Sequence, residues 1–164
     1  MSREYVISSG GITLANQAVT LVFLNPAAGP GPAIEILRAW AGQSANNTSA
    51  QQRVQLVTQV TAFPTLTTFT PKKTKYGDAI SAIVGGTAGA AGTCGINASA
   101  EGAGTKTIIV EDAFNVLNGW LWVATELDSI ILQAGSASGF GLHFPVAPAT
   151  LTNWAFGVVY REIG

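Results

Sequence analysis

The sequence predicts an all-β fold, an antiparallel β-sandwich, and three observations support this prediction. Short apolar segments alternate with small polar residues at a period of two along most of the chain. The 19 glycines and 7 prolines fall largely between these segments, as turn residues do between strands. No helical periodicity extends beyond about three turns. Consecutive strands without intervening helices favour a sandwich or a barrel, and a two-sheet jelly roll is our first choice.

We predict about nine or ten strands in one domain spanning residues 1–164. The clearest candidates are rich in Val, Ile and Thr, whose branched side chains suit a pleated sheet. They are Tyr5–Leu14, Ala18–Leu24, Ala33–Ala41, Gln52–Val60, Thr65–Thr70, Lys106–Glu111, Leu117–Val123, Ser129–Gln133, Gly139–Val146 and Trp154–Ile163. Ala79–Val84 is a weaker candidate. A short helix from about Ser49 and one helical turn over Asp112–Leu117 stay open as alternatives.

The segment Gly85–Gly104 differs from the rest of the chain in composition. It consists almost wholly of Gly, Ala, Ser and Thr, and Ile96 is its only large aliphatic residue. Such a segment buries too little apolar surface to order itself. We therefore expect a long Gly/Ala-rich excursion from the domain, dispensable for folding or ordered only against a partner.

The charge content limits the function classes. Charged residues make up 10% of the chain, against the usual value of about 25%. Either neutral polar side chains solvate the surface, or partner subunits cover much of it. The net charge of −1 argues against nucleic-acid binding and against docking to anionic membranes. We also find no secretory signal and no apolar run long enough to span a bilayer.

The residues that usually carry chemistry are scarce. His143 is the only histidine, and no Gly-x-Ser-x-Gly motif accompanies it. Cys94 is the only cysteine, and it lacks a neighbouring base that would stabilise a thiolate. One His and one Cys cannot build a zinc cluster, and the close acidic pairs Glu111-Asp112 and Glu126-x-Asp128 are typical of solvated turns. We predict a protein that is not an enzyme, with no catalytic, cofactor-binding or metal-ligating residue.

Five residues are candidates for an interface. Trp120 and Trp122 share one face of a strand, which belongs either to the core or to a contact with another subunit, because Trp is enriched at interfaces. Lys72, Lys73 and Lys75 form the only basic cluster. These lysines occupy either a solvated loop or a docking point for an acidic protein surface.

Several segments together resemble the jelly-roll decoration or cement proteins of tailed bacteriophages. These segments are Ser2–Tyr5, Ala33–Trp40, Gln51–Leu56, Phe114–Trp122 and Tyr160–Gly164. The resemblance implies a structural virion protein that assembles in the host cytoplasm as a homotrimer. It also implies binding to the major capsid protein or another virion protein, which stabilises the shell without catalysis.

The alternative function is a carbohydrate- or receptor-binding β-sandwich module of a phage fibre, which would expose aromatic side chains beside polar loops. An enzyme of the double-stranded β-helix type is the weakest hypothesis. It requires two or three metal-ligating histidines, and the chain has one.

Overall fold

The computed structural model describes residues 2–15, 20–45 and 48–164, which form thirteen β-strands. They are β1 (Arg3–Ile12), β2 (Thr20–Leu24), β3 (Ala33–Gln43), β4 (Gln51–Val60), β5 (Thr65–Thr68), β6 (Lys72–Lys73), β7 (Val84–Gly85), β8 (Thr93–Ala100), β9 (Thr105–Asn115), β10 (Trp120–Val123), β11 (Ile130–Leu132), β12 (Ser138–His143) and β13 (Trp154–Ile163).

The strands form two sheets that pack face to face. The six-stranded sheet has the order β10-β3-β13-β1-β6, with β11 also paired to β3. The seven-stranded sheet has the order β5-β8-β2-β12-β4-β9, with β7 also paired to β8. Every pairing is antiparallel except that of β7 with β8. The all-β antiparallel sandwich is therefore confirmed, while the jelly-roll connectivity stays a prediction.

The core lies between the two sheets and follows the period-two alternation of the strands. β13 contributes Trp154, Phe156, Val158 and Tyr160, all with no exposed surface. At one end of the core Trp154 meets Phe144 edge-on, with ring centroids 5.0 Å apart. Burying a side chain of this size stabilises the fold by about 1.5–3 kcal/mol, and edge-to-face aromatic pairs add about 0.5–1.5 kcal/mol.

On the outer face of each sheet, an aromatic ring lies across a glycine of the neighbouring strand. A Cβ atom on Gly139 would approach Cζ of Phe23 to 2.4 Å, and one on Gly157 would approach Cζ2 of Trp40 to 2.3 Å. The Phe23 ring is itself covered, because Phe63 packs on it at a centroid distance of 5.4 Å. Only glycine leaves room for such close packing of a ring on a sheet.

The prediction of a loop over Gly85–Gly104 is wrong for its second half. Thr93–Ala100 forms β8, which lies between β2 and β5 in the seven-stranded sheet. Cys94 and Ala98 are fully buried there. Main-chain hydrogen bonds to two neighbouring strands order this segment, and they do not depend on large side chains.

The structure also corrects three other local predictions. Ala79–Val84 is not a strand up to Ile83, because its backbone bonds to side chains: the Tyr5 hydroxyl donates to the Ala79 carbonyl at 3.0 Å. The helical alternatives near Ser49 and over Asp112–Leu117 are also wrong, since Gln51–Val60 and Asp112–Asn115 belong to the paired strands β4 and β9. Of the predicted strand Ala18–Leu24, residues 18–19 lie outside the described residues.

We predict that Gly95→Ala lowers the free energy of unfolding by about 1–3 kcal/mol, a typical cost of overpacking. The new Cβ would lie 2.7 Å from the Thr67 carbonyl oxygen and 2.8 Å from that of Gly86, and neither main chain can move aside. Denaturant unfolding measures the effect. Gly77→Ala is the matched control, because nothing lies within 4 Å of its Cβ position. Equal stability of both variants would contradict the position of β8 in the sheet.

Candidate functional site

The outer face of the six-stranded sheet carries an exposed apolar surface, which we call the Trp40 face. Leu121 and Val123 are its exposed residues, Leu37 and Trp40 are partly exposed, and buried Val159 forms its floor. The alternation of β10 turns Leu121 and Val123 outward, and they are 63% and 55% exposed. Leu121 lies opposite Trp40 in the β10–β3 pairing, so the apolar side chains continue from one strand to the next.

Trp40 is the centre of this face. Its six-membered ring packs on Gly157, where an added Cβ would approach Cζ2 to 2.3 Å and Cη2 to 2.6 Å. The guanidinium carbon of Arg38 lies 5.7 Å from the ring centroid, within the range of a cation–π contact. Arg38, Trp40 and Leu121 line a shallow cavity of about 260 Å³. This arrangement places a cation over the aromatic ring.

A second shallow cavity of about 270 Å³ continues the face towards β1. Glu4 and Arg38 line it together with Leu37, Val123 and Val159. Beside it, Arg161 Nε donates to Glu35 Oε2 at 3.0 Å. The Trp40 face therefore combines an apolar centre with charged groups of both signs.

Of the two alternatives for Trp120 and Trp122, core or subunit contact, the structure places both side chains on the core side of β10. Trp120 belongs to the buried core, and its indole Nε1 donates to Asp112 Oδ2 at 3.1 Å. Trp122 is half-buried and packs against the same core. The outward residues of β10 are Leu121 and Val123, so this strand does present an apolar surface, on the face opposite to the tryptophans.

The three lysines of the basic cluster are exposed. Lys72 and Lys73 form β6 at the edge of the six-stranded sheet, where they pair with Val6 and Tyr5 of β1. Lys75 lies in the turn that follows. Lys72 Nζ lies 5.9 Å from the centroid of the Phe69 ring. The cluster is thus held on a sheet edge, beside and not within the Trp40 face.

His143 belongs to a polar cluster that its sequence neighbours do not reveal. The Glu101 carboxylate accepts hydrogen bonds from the Thr20 amide and hydroxyl, both at 2.7 Å. Lys106 Nζ lies 2.7 Å from Glu101 Oε2, and His143 Nδ1 lies 3.4 Å from the same oxygen. The cluster ties the end of β12 to the start of β2 and to the segment before β9.

The geometry of this cluster differs from that of a catalytic triad. A triad uses one imidazole nitrogen for the carboxylate and the other for the nucleophile. Here Nδ1 of His143 faces both the Glu101 carboxylate and the Thr20 hydroxyl, the latter at 3.2 Å. One nitrogen cannot relay a proton between these two groups, so the arrangement fits a structural histidine.

The acidic pairs bond within the chain. Glu111 forms an ion pair with Arg53, and hydrogen bonds from Gln55 and Arg53 lower the pKa of its carboxyl group. Asp128 accepts a hydrogen bond from the Thr125 hydroxyl at 3.1 Å.

Within residues 2–15, 20–45 and 48–164, no three His, Cys, Asp or Glu side chains group closely enough to hold a metal ion. The same residues contain no helix long and apolar enough to cross a membrane.

The fold and its outer face together define the class of this chain: an all-β antiparallel sandwich with an exposed apolar surface centred on a tryptophan. No protein-family model matches the sequence, and neither a curated protein nor a solved structure matches it significantly.

We predict that the Cys94 thiol of the native protein resists Ellman's reagent at pH 8. The side chain has no exposed surface, its Sγ donates to the Phe69 carbonyl oxygen at 3.0 Å, and burial raises its pKa to about 12. The thiol therefore stays protonated and out of reach. Protein unfolded in guanidinium should release one equivalent at once. Immediate labelling of the native protein would contradict the burial of β8.

The same group predicts a loss of stability at alkaline pH. An unfolded thiol ionises at pH about 8.5, whereas in the folded chain its pKa is about 12. Between these values the unfolded state binds fewer protons, so the stabilising contribution falls as the pH rises. Denaturant unfolding at pH 8 and pH 10 should show a smaller pH effect in Cys94→Ala than in the wild type. An equal pH effect in both proteins would contradict this assignment.

Proposed function

We propose that this protein is a non-catalytic structural subunit of a virion that assembles as a homotrimer and binds a capsid shell. The observation that carries the proposal is the exposed, preformed apolar surface of the Trp40 face. An apolar face of this kind on a small domain is typical of a protein interaction site. Its mechanism is burial of that surface, with shape and charge selecting the partner.

The compactness of the domain supports association through the surfaces of the folded domain and not through an extended arm. The accessible surface is 7686 Å², and a compact monomer of 16.9 kDa has about 7,700 Å². No arm therefore extends from the domain within residues 2–15, 20–45 and 48–164. A standard interface covers about 800 Å² of each partner, or about a tenth of this surface.

A second apolar surface supports a ring-like assembly. Ile108 and Ile109 of β9 are 50% and 43% exposed. Both are exposed because the β4–β9 pairing shifts by one residue at this point, and a bulge leaves Ile109 without a partner in β4. β9 is also the edge of its sheet. A closed ring needs two different complementary surfaces on each subunit, and the Trp40 face and the β9 edge lie on different sheets.

The lysine cluster supports the contact with a shell. Lys72, Lys73 and Lys75 project from one short sheet edge and the adjoining turn. Three cations on a small area favour an acidic protein surface as the partner, and such contacts increase the rate of association. In this proposal the apolar surfaces join the subunits, and the lysines direct the trimer to the shell.

We predict that Leu121→Asp converts a trimer into monomers, with at least a tenfold rise in the dissociation constant. A buried, unpaired carboxylate opposes association by more than 1.4 kcal/mol, which corresponds to a factor of ten. Light scattering over a concentration series measures the mass. Leu127→Asp is the matched control, because Leu127 is 96% exposed in a loop. A wild-type protein that stays monomeric at all concentrations would overturn self-assembly through this face.

The location of the protein needs a separate test. Antibodies against the purified chain should label intact virus particles from the source of the gene in immunogold electron microscopy. Particles treated to remove the protein should lose heat resistance and regain it when wild-type protein is added back. Labelling confined to host-cell material would overturn the structural virion role.

A carbohydrate- or receptor-binding module is the second candidate, and the geometry of Trp40 favours it. Trp40 packs over Gly157 with the Arg38 guanidinium over its ring, and a partly exposed tryptophan beside a cationic hydrogen-bond donor is a combination that can hold a sugar. We predict that any glycan bound by the wild type in a glycan array loses at least tenfold in affinity in Trp40→Ala. Tyr76→Ala is the control, since Tyr76 is fully exposed in a turn. An array with no bound glycan would remove this candidate.

A further inference from the structure

A cavity of about 550 Å³ lies where β1 begins and β13 ends. The segment that follows β6 closes one side of it with Ile80, Ser81 and Ala82. Arg3 and Glu162 line the side formed by the sheet. The volume is far larger than one water molecule needs and lies in the range of small-ligand sites.

The Glu162 carboxylate is held in a fixed orientation at this cavity. The residue is 5% exposed. Its Oε1 accepts hydrogen bonds from the Ser81 hydroxyl at 2.7 Å and from the Ala82 amide at 2.8 Å. The Ser81 hydroxyl in turn lies 2.6 Å from the hydroxyl of buried Tyr160. Both groups that fix Oε1 come from one side, which leaves Oε2 for the cavity.

The Glu162 carboxylate forms no close ion pair within the described part of the chain, although Arg3 lines the same cavity. Arg3 is the cross-strand neighbour of Glu162 in the β1–β13 pairing. The ion pairs of the described residues nevertheless include no cation within 4.0 Å of Glu162. No hydrogen bond to its Oε2 is formed by these residues either. A mostly buried carboxylate without a close ion pair is stabilised by a ligand that brings a cation within hydrogen-bond distance.

We propose that this cavity is a binding site for a single organic cation, an ammonium or guanidinium group on a short alkyl stem. The Glu162 carboxylate pairs with the cation through Oε2, and the stem lies against Ile80 and Pro32. The lysine or arginine side chain of a docking protein and a free alkylamine share this chemistry. The inference does not depend on the proposed virion role, so its failure leaves that role untouched.

The test is a titration of ¹⁵N-labelled protein with n-butylammonium and N-ethylguanidinium, followed by NMR. The amide of Ala82 is the reporter, because it donates to the carboxylate that binds the cation. We expect a saturable shift of this signal in the wild type. Absence of a saturable shift up to about 100 mM of either probe, a concentration far above useful affinity, would overturn the proposal.

Glu162→Gln separates charge from structure. The amide oxygen still accepts the hydrogen bonds of Ser81 and Ala82, so the fold is retained, while the negative charge is lost. We expect at least a tenfold weaker binding of both probes, because hydrogen bonds to charged groups contribute most of the affinity of such sites. Unchanged affinity in Glu162→Gln would overturn the role of the carboxylate.

Arg3 supplies the matched control. In Arg3→Ala the cavity loses its cation, and we expect n-butylammonium to bind at least as tightly as in the wild type. Acetate is the opposite probe: saturable binding of acetate without binding of n-butylammonium would show an anion site built on Arg3 and would overturn the proposal.

A third arm identifies the source of the cation. Capped tripeptides with a central lysine or arginine are compared with n-butylammonium. Tighter binding of a peptide than of the free amine supports a site for a protein side chain. Equal or weaker binding of the peptides, with the amine still bound, supports a site for a free alkylamine.

Discussion

The inward face of β13 is the contact on which the other features of this sandwich depend. β13 lies between β3 and β1 in the six-stranded sheet, and its inward side chains, from Trp154 to Tyr160, fill the space beneath the seven-stranded sheet. Because side chains alternate along a strand, this burial also fixes what β13 presents outward. Gly157 and Val159 then form the floor of the Trp40 face. At the end of the strand, the same pairing with β1 carries Glu162 into the cavity beside Arg3. The apolar face and the charged cavity are therefore two consequences of one buried strand.

The two sheets use the same device on their outer faces, with different results. In each, an aromatic ring occupies the space left by a glycine on the next strand, Phe23 over Gly139 and Trp40 over Gly157. Phe63 covers the first ring, and the cluster around it is a small second core. Trp40 keeps a partly exposed side chain, with the Arg38 guanidinium over its ring. On the seven-stranded sheet, a side chain of the same chain therefore covers the outer aromatic ring, whereas Trp40 on the six-stranded sheet lacks an equivalent aromatic cover among the described residues. This difference is the physical reason for the external partner proposed for the six-stranded sheet.

Alternation at a period of two predicts the sandwich, the inward set of β13 and most strand positions, because burial of one face dictates that pattern. This pattern predicts nothing where the two faces of a strand do not differ in polarity or side-chain size. β8 is built from small residues, and its place between two strands rests on main-chain bonds and close approach at Gly95. On β10 both faces are apolar, so the sequence does not distinguish the Trp120 side from the Leu121 side. The partners of His143 and Glu162 are contacts between distant segments, Glu101 for the first and Ser81 for the second. Local sequence contains no signal for such contacts.

Several charged residues of the chain form ion pairs with each other, and the lysines near β6 are the densest group of one sign. Glu35 pairs with Arg161, Glu111 with Arg53, and Glu101 with Lys106, which neutralises six charged groups within the described residues. Each pair links different strands or a strand and a loop, so these charges contribute to local order more than to the field around the protein. The lysines at β6 then stand out as the densest group of one sign. In the roles proposed for this chain, apolar area provides the affinity for partners, the small basic edge directs their approach, and one buried carboxylate selects a cation.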